Sequence, residues 1–219
     1  MNLFLTGTDT GVGKTHTAVQ LLRAARASGL RCAGLKPICC GDRSDAERLL
    51  AASSEGATID EINPVWLKTP AAPFSASLIE QVTIDEQRLV AALRSLEKRF
   101  DFVVVEGVGG WLVPIRRDFF VSDLAVQMKL PVLVVAQNRL GCLNHTSLTV
   151  RSVAECGLAC AGVVLNGTSG LLDIASSTNA DILRQILDVP ILPTLVEGAV
   201  ELTPEWRAAV GFFGSSVVS

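Results

Sequence analysis

Residues 4–16 read FLTGTDTGVGKTH. The apolar run NLFLT (2–6) has the composition of a short buried strand, and a helical pattern begins at residue 14. Between them lies a glycine-rich turn. Strand, turn and helix in that order are the frame of a phosphate-binding loop. Gly11 and Gly13 let backbone N–H groups converge on an anion with no Cβ in the way. The positive end of the helix adds to that field. Lys14 then reaches the outer phosphates, and the Thr15 hydroxyl is a ligand for Mg²⁺. The usual first glycine of such a loop would stand at Thr8; here it is Gly7, one residue earlier. The bland alternative is an ordinary glycine turn before a helix.

Outward from this loop, the chain of 219 residues alternates apolar runs with helical patterns. Strands are predicted at 2–6, 32–36, 102–105, 132–136 and 161–165, with a further one at 191–195. Helices are predicted at 14–28, 44–53, 85–99, 144–156, 175–188 and 204–213. Alternation of this kind predicts an α/β fold, a mostly parallel central sheet with helices on both faces, in one domain over 1–219. Thr83 and Glu86 form a candidate capping box for the helix at 85–99. Gly29 and Gly157 stand where helices should stop. Residues 54–82 have little periodicity and carry Pro64, Pro70 and Pro73, so they are expected to wrap the surface; 214–219 are expected to fray.

Net charge is −3, which favours neither nucleic acid nor an anionic membrane. No apolar run is long enough to span a bilayer, and no secretory leader is expected. The six cysteines form no CxxC pair and only His16 and His145 supply imidazoles, so a zinc site is not expected and reduced thiols in the cytoplasm are.

In a parallel sheet, ligands collect beyond the carboxyl ends of the strands. Lys36 follows one strand and is either a cation for a transferring phosphoryl group or a solvated edge lysine. Asp45 starts a helix, as a cap or as a Mg²⁺ ligand. Glu106 ends the run FVVV and precedes Gly107, Gly109 and Gly110. It is a candidate metal ligand beside the phosphate loop, the alternative being a surface turn. Asn144 opens a helix whose free N–H groups suit a carboxylate, by capping or by binding. His145 reads as a capping or packing residue. Asn166 is either a reader of adenine or a turn residue in Asn-Gly.

GTDTGVGKT, AGLKP, SDA, VVEGVGG and LGCLNH, in this order and at these spacings, resemble dethiobiotin synthetase over nearly the whole chain. The resemblance implies a P-loop domain that acts as a homodimer with its active site at the subunit interface. Its reaction closes the ureido ring of dethiobiotin from 7,8-diaminopelargonic acid, CO₂ (or bicarbonate) and MgATP. By the same resemblance Thr10, Gly11, Val12, Gly13 and Lys14 fall in the phosphate loop, and Thr15, Asp45 and Glu106 hold Mg²⁺. Lys36 is the second active-site lysine, and Thr10, Lys14 and Lys36 are catalytic. Asn166 contacts adenine, with Glu106, Gly107 and Gly109 on the nucleotide side. Cys40 and Gly110 face the diamine, and Gly141, Cys142, Leu143 and Asn144 take its carboxylate from the partner subunit.

Three departures stand out. Cys40 replaces a serine, and a thiol is the weaker donor. Gly11 replaces a glutamate. The tyrosine that holds the substrate carboxylate in some members is missing, since the chain has none; Asn179 takes its place. Two rivals share the superfamily. A nucleotide-switched partitioning or regulatory ATPase would carry an extra lysine where Asp9 stands. A cobyrinic-acid-type amidating synthetase would append a glutaminase domain, for which the chain is too short.

Overall fold

The computed structural model describes residues 2–167, 174–195 and 201–211. The stretch 214–219, and the end of the helix expected at 204–213, lie outside them. In chain order, β1 (Leu3–Gly7) enters the loop and α1 (Lys14–Ala27) leaves it. Then come β2 (Cys32–Leu35), β3 (Ile38–Cys40), α2 (Ser44–Ala52), α3 (Ile59–Ile62), β4 (Val65–Leu67) and α4 (Pro73–Glu80). The middle of the chain holds α5 (Glu86–Glu97), β5 (Phe102–Gly110), β6 (Pro114–Arg116), β7 (Phe119–Phe120) and α6 (Val121–Met128). The remainder is β8 (Val132–Gln137), α7 (Cys142–Glu155), β9 (Cys160–Asn166), α8 (Ile174–Ile186), β10 (Ile191–Leu192) and α9 (Pro204–Val210).

Among the described residues six strands form one parallel sheet in the order β10-β9-β8-β1-β5-β2. Leu3, Phe4, Leu5, Val103, Val104, Val105, Leu133 and Val134 are fully buried. Their unbroken apolar runs reflect burial on both faces of the sheet. Each such side chain contributes about 1.5–3 kcal/mol by leaving water. On one face α1 and α2 meet over β2, where Leu22 and Leu49 close on Gly34 so tightly that a Cβ there would lie 2.8 Å from Leu49. α5 packs on β2 and β5 and against α6. β1 lies between β5 and β8, so the chain turns back on either side of it and leaves a crevice at its carboxyl end.

Some expectations need correction. β5 does not stop before Glu106 but runs on to Gly110, with an irregular register against β1 between Leu5–Glu106 and Gly7–Gly110. The glycines absorb that bulge. The segment 54–82 is no surface wrap: it holds α3, β4 and α4, and Ile62, Leu67 and Ala76 are buried. β4 pairs with β3 in a small parallel ribbon. α5 is capped by Asp85, which accepts from Gln87 N–H at 2.9 Å, rather than by Thr83. Glu86 pairs with Arg116 instead. α7 begins at Cys142 with Gly141 in the left-handed conformation as its cap, so Asn144 is not the cap. Gly29 and Gly157 do follow helix ends, with φ of 81° and 72°.

Candidate active site

The loop between β1 and α1 is built around close approach. A Cβ on Gly7 would stand 2.6 Å from the Asp9 carbonyl and 2.9 Å from Lys14 Nζ, which explains a glycine there and a threonine next door. Gly13 has φ 95°, and a Cβ on it would lie 2.3 Å from Asn166 Nδ2. Asn166, at the end of β9, is buried, and its Nδ2 donates to the Val12 carbonyl at 2.9 Å and to that of Gly13 at 3.3 Å. Its Oδ1 is buried without a partner among the described residues. Asn166 thus clamps the loop from β9, neither a solvent-facing turn residue nor an amide wholly free for a base. No side chain caps α1 and no acidic residue stands in its first turn, so its N–H groups remain open to an anion.

Lys14 is buried and donates to the Asp9 carbonyl at 3.0 Å. Burial, helped by the nearby Lys36 ammonium, pulls its pKa down to about 8. Lys36 is equally hidden, at 4% exposure, so it is no solvated edge lysine. Its Nζ donates to Asp45 Oδ2 at 2.7 Å and to Glu106 Oε1 at 2.5 Å. Burial opposes its charge, but the Glu106 and Asp45 carboxylates outweigh that and hold its pKa well above the usual lysine value. For Asp45, burial works against the charged form; Lys36 prevails and lowers the pKa. Asp45 makes no capping bond, since its side chain turns to Lys36 and Thr15.

The same cluster includes Thr15. Its Oγ1 lies 2.8 Å from Asp45 Oδ1 and 2.8 Å from Glu106 Oε1. A hydroxyl has a single proton to donate, so one of these oxygen pairs is left without a hydrogen between them. Glu106 is fully buried and its Oε2 has no partner among the described residues. Surplus oxygen lone pairs from one hydroxyl and two carboxylates fit a small hard cation of the Mg²⁺ type, which retains several waters. Among the described residues no group of three or more His, Cys, Asp or Glu could hold a metal ion.

These groups line a cleft of about 690 Å³. Thr10, Gly11, Gly13, Lys14, Thr15, Lys36, Cys40, Asp45, Glu106 and Gly109 all reach it. Its far wall is Pro70–Pro73, and Arg48 and His16 stand on its lining. Burial raises the Cys40 thiol to about 11, so it faces the cleft as a neutral S–H. Gly110 lines a smaller cavity of about 320 Å³ with Leu112 and Leu148; Thr10 and Val113 border both spaces.

Other expected residues lie elsewhere. Gly107 does not line the cleft: it is pressed between β1 and Val121. Val12 is buried and contributes its carbonyl to Asn166. Gly141, Cys142, Leu143 and Asn144 border neither cavity of the single chain. His145 is exposed rather than packed. Asn179 is buried, and its Nδ2 donates to Asn138 Oδ1 at 2.8 Å and to the Arg139 carbonyl at 3.2 Å, so it ties α8 to the loop before α7. Sequence reasoning overlooked Asn63, which donates to the Lys36 carbonyl at 2.8 Å and steadies that strand end. It also overlooked the proline wall and Arg48.

Comparison with known proteins agrees with this geometry. The AAA domain family matches residues 1–205. An ATP-dependent dethiobiotin synthetase BioD of Akkermansia muciniphila is 42% identical over 197 residues, 90% of this chain and 92% of the relative. One from Anaeromyxobacter dehalogenans strain 2CP-1 is 47% identical over 182 residues, covering 81% and 82%. The septum site-determining protein MinD of Pyrococcus horikoshii OT3, solved with Mg-ADP, superposes with a TM-score of 0.57 over 88% of this chain and 82% of its own. At 17% identity that likeness speaks for the fold alone.

Proposed function

This chain belongs to the dethiobiotin synthetase family, and from that premise we propose how its cleft closes a ureido ring on 7,8-diaminopelargonic acid with CO₂ and ATP. The observation that carries the reading is the pairing of two buried lysines beside one phosphate loop, with Lys36 held between Asp45 and Glu106.

One amine of the substrate adds to CO₂ and loses a proton, giving a carbamate; this step needs orientation more than catalysis. A carbamate oxygen attacks the γ-phosphorus of ATP and ADP leaves. The second amine then attacks the carbonyl carbon of the mixed anhydride, phosphate leaves, and the ring closes. No protein nucleophile takes part. Negative charge grows on the transferring phosphoryl group, and fixed cations are the means to stabilise it. Lys36 remains charged across the working pH range because its carboxylates hold the proton. Lys14, with a pKa of about 8, gains its proton most readily when an anion arrives beside it. The open N–H groups of α1 and the loop bind the phosphates, and Thr10 and the Cys40 thiol, both on the cleft lining, orient the diamine. Thr15, Asp45 and Glu106 would hold Mg²⁺, whose chemistry here is to neutralise the triphosphate.

Asn166 joins the loop to the base, its unpartnered Oδ1 being an acceptor of the kind an adenine amine requires. Gly141–Asn144 serve the cleft of a second subunit in a homodimer and bind the substrate carboxylate there. The enzyme works in the cytoplasm as a single catalytic unit over 1–219; no described helix is long and apolar enough to cross a membrane. Purified protein supplied with the diamine, bicarbonate and MgATP is expected to yield dethiobiotin, ADP and phosphate in equal amounts. Absence of both product and diamine-dependent ATP hydrolysis would remove the assignment.

A further inference from the structure

Among the described residues four basic side chains line the cleft: Lys14, His16, Lys36 and Arg48. Three are committed within the protein. Lys14 holds the Asp9 carbonyl, Lys36 holds Asp45 and Glu106, and His16 Nε2 lies 2.6 Å from the Leu195 carbonyl. Arg48 is exposed and makes no hydrogen bond or ion pair among the described residues. Its position makes this unusual. Arg48 follows Asp45 by three residues on α2, the spacing at which an aspartate and an arginine commonly pair. Asp45 turns instead to Thr15, 2.8 Å from Oδ1, and to Lys36, 2.7 Å from Oδ2.

We propose that Arg48 contacts the phosphate chain of the nucleotide. This rests on the reading above that the cleft holds a triphosphate. Long side chains on a helix lean toward its N-terminus, which for Arg48 is the turn that carries Ser44 and Asp45, and all three residues line the cleft. α2 runs beside α1, the two meeting through Leu49 and Leu22 over Gly34. The cleft-facing flank of α2 is therefore next to the first turn of α1, where Thr15 and His16 line the same space. That is the phosphate end of the cleft. Charge balance points the same way. Asp42, Asp45 and Glu106 put three carboxylates on the lining, of which protonated Lys14 and Lys36 offset two. A polyanion entering such a site gains from a further cation, and a planar guanidinium matches two phosphate oxygens at once.

The test is titration of MgATP into the purified full-length protein without diamine, comparing wild type with Arg48→Ala and Arg48→Lys. The alanine variant is expected to bind MgATP about tenfold more weakly, and the lysine variant to recover part of that loss. In turnover, the KM for ATP rises with the Kd, while the KM values for diamine and bicarbonate move less than about twofold. The thermal midpoint stays at the wild-type value, as expected for an exposed side chain with no partner among the described residues. A Kd for MgATP within about twofold of wild type overturns the proposal. So does a large rise in the KM for bicarbonate or diamine with ATP binding unchanged, which would give Arg48 to the other substrates. The titration needs no turnover, so its result is separate from the product assay that tests the reaction.

Discussion

The ends of β1 and β2 each deliver a buried lysine into one cleft, and the two differ in nearly everything else. Lys14 follows β1 on a glycine loop and has a backbone carbonyl for company; its pKa falls to about 8. Lys36 follows β2 and lies between two carboxylates; its pKa rises. Both are more than nine-tenths hidden from solvent. Burial alone therefore does not decide whether an ammonium keeps its proton. The compensating charge decides it. One lysine is a permanent part of an ionic cluster, and the other is held in readiness for an anionic ligand.

The contrast can be broken most forcefully at Lys36. Replacing it by Met leaves the buried Glu106 and its neighbour Asp45 without their cation. Loss of one partner from a buried pair costs about 3–5 kcal/mol, and about 3 kcal/mol is expected here because Asp45 is partly exposed. Urea unfolding measures it, and adding Glu106→Gln should restore more than half. If Lys36→Met unfolds at the wild-type midpoint, the cluster is not what holds that strand end. At Lys14 the prediction has the other sign for stability. Lys14→Ala is expected to keep or raise the thermal midpoint while lowering kcat by about 10²-fold, roughly 2.7 kcal/mol of transition-state stabilisation. A destabilised Lys14→Ala with full turnover would reverse the roles assigned to the two residues.

The smallest effect is a proton. The folded pKa of Lys14, about 8, lies below its ordinary value of 10.5. The charged form is thus disfavoured in the folded, ligand-free protein. That penalty is full below about pH 8, shrinks as pH rises and is gone above 10.5. The stability advantage of Lys14→Met over wild type should accordingly shrink across that window. Binding of MgATP near pH 8.5 should take up a fraction of one proton, read by calorimetry in buffers of different ionisation enthalpy, and little near pH 6. No difference between buffers at the higher pH would mean that Lys14 is already charged before the nucleotide arrives.

Much of this site was legible beforehand because its residues follow long apolar runs. Val103–Val105 before Glu106 and Leu3–Leu5 before the glycine loop could only be buried strands, and a parallel sheet brings their ends together. The region 54–82 hid its structure because α3, β4 and α4 are too short to show a period. Even so, Thr58 and Glu61 are a capping box, a signal present in the letters. α6 also went unseen, though Val121, Leu124, Ala125 and Met128 are its buried stripe. Arg48 carried no signal, since an arginine on a helix flank next to acidic residues is ordinarily a solvated surface residue.

Chain order thus settled the strands, the anion-binding loop and the presence of lysines, a threonine and carboxylates at strand ends, because hydrophobic period and glycine placement act locally. Where each charge goes could not be read from that order. That Asp45 turns to Thr15 and Lys36, that Asn166 turns its amide onto the loop, and that Arg48 has no partner among the described residues depend on which groups share a few ångströms after folding. Electrostatic and hydrogen-bond energies fall off with distance in space, not along the chain, and so are decided when the strands and helices pack.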